Sequence, residues 1–220
     1  MVIAIATFTV TVIFLAILLI VGPLLYKRKS EEDFDLRNYF PFELINHSEF
    51  KDNFYTHLIL VLFILTSCGF YATFDINYTG GYLLFVMIGG ILSSLAIFAL
   101  FYVPLLRLRS HIIVATLAFT LRLATSGAIF IASWRINQSG MSWASITSIV
   151  LSSIVLFIAL GLIFNPKLTL NFRAVEAVKE NGEKEYLRPK YVVLALSEWI
   201  LIFLNIFNML NIVILTFALE

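Results

Sequence analysis

Six long apolar segments, separated by polar ones, dominate the pattern of hydrophobic and polar positions along this chain. A helix needs about 20 mostly apolar residues to cross a bilayer. The pattern therefore predicts membrane-spanning helices over residues 2–25, 56–74, 82–106, 111–134, 143–164 and 191–219. The expected fold class is an all-α integral membrane protein, a bundle of six transmembrane helices that forms a single polytopic membrane domain over residues 1–220.

The overall composition agrees with a membrane protein and excludes an ordinary soluble domain. Hydrophobic residues make up 60% of the chain and charged residues 13%, whereas soluble domains have about 45–50% and about 25%. A formal net charge of +1 gives no indication of a nucleic-acid partner. The expected partners are the lipid bilayer and a second membrane protein, and a small-molecule ligand is left open.

Basic residues predict the orientation in the membrane, because Lys and Arg concentrate in cytoplasmic loops. Of the 15 basic residues, 13 lie in the loops over residues 26–55, 107–110 and 165–190, and the other two are Arg122 and Arg135. These three loops alternate with the short connections on the other side. We therefore expect the three loops to be cytoplasmic, both termini to be non-cytoplasmic, and the plasma (cell) membrane to be the location.

Arg122 and Glu198 are ionisable residues inside predicted spans, where each costs at least about 2.5 kcal/mol and marks a candidate site. Arg122 lies about 16 Å into the fourth span and Glu198 about 10 Å into the sixth, so the two can form an ion pair between these helices. Asn205 shares the face of Glu198, and Asn208 lies beside it. Three interpretations remain open: a polar pocket that binds a ligand or conducts an ion, a structural clamp between helices, or an Arg122 that extends toward the interface without a partner.

Small residues recur at helical spacing in the third and fifth spans, where they allow close helix packing. The pairs are Gly89 with Ser93 and Gly90 with Ser94, and the fifth span carries Ser145, Ser148 and Ser152. If the bundle does not use these faces internally, we expect a partner helix to dock on them.

Two loops have a distinct composition. The first, 26–55, has seven aromatic residues from Phe34 to Tyr55, which favours contact with the membrane surface or with another protein. The last, 165–190, contains Asn181-Gly182 between two weakly alternating runs. This dipeptide is typical of a β-hairpin turn, but a solvated linker is the favoured interpretation and the hairpin is the alternative.

No catalytic motif is present in the sequence. The chain has no P-loop, no His-Glu-x-x-His and no Gly-x-Ser-x-Gly. The spacing of the metal-ligand types in the first loop fits no metal motif; these residues are Glu43, His47, Asp52 and His57. We therefore expect no metal and no cofactor, and the missing catalytic motifs predict no enzymatic activity. No protein family is identified. The favoured hypothesis is a non-catalytic accessory or structural subunit of a membrane complex. The alternative is a small substrate-binding component of a transporter, with Arg122, Glu198, Asn205 and Asn208 as its pocket.

Overall fold

A computed structural model describes residues 2–30, 33–46, 53–73, 81–104, 107–166, 175–178, 184–187, 189 and 191–218. It contains six helices that are long and apolar enough to cross a membrane, so the predicted number of spanning helices is confirmed. These helices are α1 (Val2–Ser30), α3 (Phe54–Ala72), α4 (Gly81–Tyr102), α5 (Leu108–Ser139), α6 (Trp143–Ile163) and α7 (Val193–Thr216), with a short α2 (Glu43–Asn46) after α1.

Two helices extend further than their apolar pattern predicts. Helix α1 continues through Pro23 to Ser30, although a proline lacks the N–H that bonds to the preceding turn. Helix α5 continues to Ser139, so the connection expected between the fourth and fifth spans, residues 135–142, is mostly helical. Helix α6 then begins at once, because Ser142 and Ser145 form a reciprocal capping box at its N-terminus.

Outside the helices the chain forms a small antiparallel ribbon. Strand β1 (Val175–Val178) pairs with β2 (Lys184–Leu187), with Val175 opposite Leu187 and Val178 opposite Lys184. The favoured linker interpretation is therefore wrong for these residues, and the hairpin alternative is confirmed. The expected turn at Asn181-Gly182 lies outside the described residues. The all-α expectation thus holds for the bundle only.

Helix α7 occupies the centre of the bundle. The most apolar stretch of α7 is 61% buried inside the protein, whereas the corresponding stretches of α1 and α6 are each 22% buried. The other helices follow one another around it, because each long helix packs against the next in chain order and α7 also contacts α1, α4, α5 and α6. Helices α1 and α6 consequently direct most of their apolar side chains away from the protein.

Residues 33–46 of the aromatic loop pack against their own bundle, which corrects the expectation of a membrane-surface or protein contact for this part. Phe54 and Tyr55, at the start of α3, are exposed. The Trp199 indole N–H donates to the Tyr39 carbonyl at 2.8 Å, and the Val192 N–H donates to the Arg37 carbonyl at 2.9 Å. Phe40 is fully buried. One end of the bundle is thereby formed by residues 33–46, the α4–α5 connection and the start of α7. We call it the basic end, because the loops predicted to carry most of the basic residues lie there.

The small-residue faces are used inside the bundle. A side chain at Gly90 would overlap the Tyr71 ring, and one at Gly89 would lie 2.8 Å from the Thr125 hydroxyl. Ser148 bonds to Ser133 of α5 at 2.6 Å. These faces hold α4 to α3 and α5, and α6 to α5, rather than offering a docking surface for a partner helix.

Gly90→Ala tests how closely α3 and α4 pack. The added methyl group meets the buried ring of Tyr71, and overpacking of this kind costs about 1–3 kcal/mol. We expect a clear loss of thermal stability in detergent. Gly127→Ala is the matched control, since nothing lies within 4 Å of a methyl group there, and it should unfold at or above the wild-type temperature. Equal stability of the two variants would contradict the close packing.

Candidate functional site

Glu198 forms a fully buried pair with His111 near the basic end. Glu198 Oε1 lies 2.8 Å from His111 Nε2, and the two side chains are 0% and 1% exposed. The other ring nitrogen, Nδ1, lies 2.7 Å from the Val103 carbonyl. A carbonyl only accepts hydrogen bonds, so Nδ1 carries a proton. One further proton is then shared between Nε2 and Oε1.

This arrangement makes the pair electrically neutral wherever the shared proton resides. If the proton is on Glu198, a neutral acid faces a neutral imidazole; if it is on His111, a carboxylate faces an imidazolium. Neutrality is what a buried site in a bilayer requires, because an isolated charge there is costly. The second carboxylate oxygen, Oε2, is buried without a hydrogen-bond partner among the described residues.

The ion pair expected between Glu198 and Arg122 is not formed, and the depths of the residues explain why. Counted from the observed starts of α5 and α7, His111 lies about 5 Å along its helix, Glu198 about 8 Å and Arg122 about 21 Å. His111 is therefore level with Glu198. Sequence analysis missed it because the predicted span began at His111 itself and left it at the interface. Hydropathy gave no signal for the pairing, because it placed His111 about 10 Å shallower than Glu198.

Arg122 is buried in the middle of α5 with a single weak hydrogen bond. Its Nη1 donates to the Tyr71 hydroxyl at 3.3 Å, and the side chain is fully buried. Nε and Nη2 have no partner among the described residues. No carboxylate within the described ranges forms a salt bridge with this guanidinium. Arg122 is thus a buried cation with unused donors.

Asn205 continues the hydrogen-bond chain that starts at Arg122. The Tyr71 hydroxyl accepts from Arg122 and donates to Asn205 Oδ1 at 2.9 Å. Asn205 Nδ2 donates to Ser67 at 2.8 Å, and Ser67 lies 2.9 Å from Ser94. Because Ser94 donates to the Gly90 carbonyl, Ser67 is the donor in its bond to Ser94. The chain therefore has one direction, from the guanidinium through α3 and α7 to a backbone carbonyl of α4.

Two further asparagines attach α7 to other helices. Asn208 bonds to Ser126 of α5 at 2.9 Å, and Asn211 donates to Ser152 of α6 at 2.6 Å. A step of three residues turns a helix by about 300°, equivalent to 60° backwards. Asn205, Asn208 and Asn211 therefore face α3, α5 and α6 in succession.

The structure brings the predicted site residues together only in part. Arg122 and Asn205 are joined through Tyr71. Asn208 bonds to Ser126, and Ser126 also donates to the Arg122 carbonyl. Asn208 therefore contacts the same turn of α5 that carries Arg122. Glu198 belongs to a separate pair. Tyr71 had no signal in the sequence, since an aromatic residue near the end of a span is as typical of packing as of hydrogen bonding.

A cavity of about 250 Å³ opens beside the His111–Glu198 pair, between α5, α6 and α7. None of the four predicted site residues is among the residues that line it. In the part of the chain that is described, no cluster of three or more His, Cys, Asp or Glu side chains can hold a metal ion. The lining residues are His111, Ile112, Ala115, Thr116, Phe119, Thr120, Ile163 and Leu194.

Comparison with known proteins supplies no relative: no protein family, no curated protein and no solved structure matches the chain.

A double-mutant cycle on His111 and Glu198 tests the buried pair. Removing one partner, as in His111→Leu or Glu198→Leu, leaves the other buried and unsatisfied, and breaking such a pair costs about 3–5 kcal/mol. We expect His111→Leu with Glu198→Leu to be more stable in detergent than either single variant. The control is Arg122→Leu with Glu198→Leu, which removes two groups that do not touch and should show additive losses. Additivity for His111 and Glu198 would contradict the pair.

Proposed function

We propose that the chain is a non-catalytic multi-pass membrane protein that serves as an accessory or structural subunit of a membrane complex. The observation that carries the proposal is the set of hydrogen bonds that the asparagines of α7 make to other helices. Asn205, Asn208 and Asn211 each bond a serine on a different neighbouring helix. Side chains committed to holding helices together are not available to bind and transform a substrate.

The surface for a protein partner lies on the outer helices in this proposal. The small-residue faces and residues 33–46 of the aromatic loop are covered by the chain itself, so they no longer support a docking site. Helix α6 remains, with Phe157 79% and Trp143 66% exposed, and helix α1 exposes Ile13 and Ile20. Lipid covers apolar faces of this kind as readily as a protein partner does, so the experiment must distinguish a lipid-covered face from a protein-covered one.

Extraction in a mild detergent, followed by size determination and mass spectrometry, tests the subunit proposal. We expect the tagged full chain to elute with at least one further membrane protein in a fixed ratio. Phe157→Ala with Ile154→Ala changes only exposed positions of α6, and Ile13→Ala with Ile20→Ala is the matched change on α1. Loss of the partner from one variant alone identifies the docking helix. A lone species of 25.0 kDa would contradict the proposal.

The second candidate function, a substrate-binding component of a transporter, is favoured by one observation. The buried guanidinium of Arg122 has two nitrogens without a partner among the described residues, and a buried charge ordinarily acquires acceptors or an opposite charge. An occupant at Arg122 would carry an anionic or strongly accepting group. If the purified chain is a lone species, ligand-induced thermal shifts that disappear in Arg122→Leu would support this candidate.

The orientation in the cell membrane is part of the proposal. The described segments that meet at the basic end include Lys27, Arg28, Arg107 and Arg109, and basic residues favour the cytoplasmic side. The opposite end, with the α5–α6 turn and the termini of the chain, then lies outside.

Cysteine labelling of intact cells tests this orientation. Cys68 is the single cysteine, so Cys68→Ser gives a background without thiols. Ser110→Cys and Ser139→Cys place the same exposed change at the two ends of α5. We expect a membrane-impermeant thiol reagent to label Ser139→Cys in intact cells, and to label Ser110→Cys only after the cells are opened. The reverse pattern would place the basic end outside.

A further inference from the structure

The cavity beside His111 is built to hold an apolar chain. Its walls are mainly aliphatic and aromatic, and His111 presents no free nitrogen because both ring nitrogens are bonded, to Val103 and Glu198. The volume, about 250 Å³, is below the 300–1,000 Å³ typical of pockets that enclose a whole drug-sized ligand. It suits part of a long molecule rather than a complete small one.

The cavity is open toward the membrane. Ile112 on α5 and Ile163 on α6 line it and are 40% and 38% exposed. Both lie at positions where the outside of the bundle faces lipid. A chain can therefore enter sideways from the bilayer without passing through water.

Arg109 lies on the line of α5 that leads into the cavity. Seven residues turn a helix by 700° and eleven by 1,100°, so Thr116 and Thr120 fall within about 20° of Arg109 around the axis. Both threonines line the cavity. Arg109 is exposed one residue after the start of the helix, at the basic end. The same line of α5 thus has a cation near the start of the helix and, about 10–16 Å deeper, the two threonines that form one edge of the cavity.

We propose that this face of α5 binds one anionic phospholipid, with an acyl chain in the cavity and the phosphate group at Arg109. Charge complementarity selects an anionic headgroup, since a guanidinium donates to phosphate oxygens through two N–H groups. The apolar walls select the acyl chain, and the opening toward the bilayer supplies the route. The site does not depend on the subunit proposal, because all of its parts belong to this chain.

Native mass spectrometry of the full-length protein tests the site. The protein is purified in detergent and mixed with phosphatidylglycerol or phosphatidylcholine of the same chain length. We expect one phosphatidylglycerol molecule to be retained in preference to phosphatidylcholine. Arg109→Gln should reduce the preference about fivefold, the effect of one basic residue near an anionic surface. Thr116→Phe, which fills the cavity from an exposed position, should reduce retention of both lipids.

Control variants separate this site from general attraction of lipid to a basic protein. Arg28→Gln removes an exposed charge at the same end of the bundle but on α1, and Leu117→Phe adds a ring at an exposed position of α5 outside the cavity. Both should retain phosphatidylglycerol as the wild type does. The proposal is overturned if Arg109→Gln and Arg28→Gln have the same effect, or if Thr116→Phe retains lipid normally. A thermal melt of each variant verifies that it is folded.

Discussion

The requirement that buried polar groups find partners inside the protein fixes the position of α7, and the rest of the bundle depends on it. Within a bilayer no water is available to satisfy an exposed amide. The side chains of Asn205, Asn208 and Asn211 bond to α3, α5 and α6 respectively. Because these partners lie on three successive helices, α7 can satisfy all three in only one rotation about its axis. All three asparagines are fully buried.

The ionisable residues of the interior are treated in two different ways. His111 and Glu198 share a proton, so together they bring no net charge into the bundle. Arg122 keeps its charge and has only the Tyr71 hydroxyl as a partner within the described residues. The interior therefore has a positive potential centred on Arg122 of α5. Arg122 lies one helix turn before Ser126, the residue that bonds to Asn208. That potential is the feature on which a role beyond structure would rest.

The basic end separates the His111–Glu198 pair from both water and lipid. On one side, the rings of Phe40 and Phe42 meet His111 edge-to-face with centroids 5.9 and 5.8 Å away. On the other side, the apolar cavity lies between the pair and the bilayer. Low local polarity strengthens the hydrogen bond between the two side chains. His111 lines the cavity, so an occupant would contact one member of the pair and change that environment.

The sequence by itself determined the number of long apolar helices and their approximate bounds, because both follow from local composition. It offered the hairpin only as the less favoured alternative to a linker. Residue 198 was also recognisable as a buried acid from its apolar surroundings. Only the tertiary structure decided that Glu198 meets His111 and that Arg122 meets Tyr71. Hydropathy reports how deep a residue lies only to within a turn or two, and it says nothing about which helices are neighbours. Partner choice depends on both quantities, so it became visible only when the helices were packed.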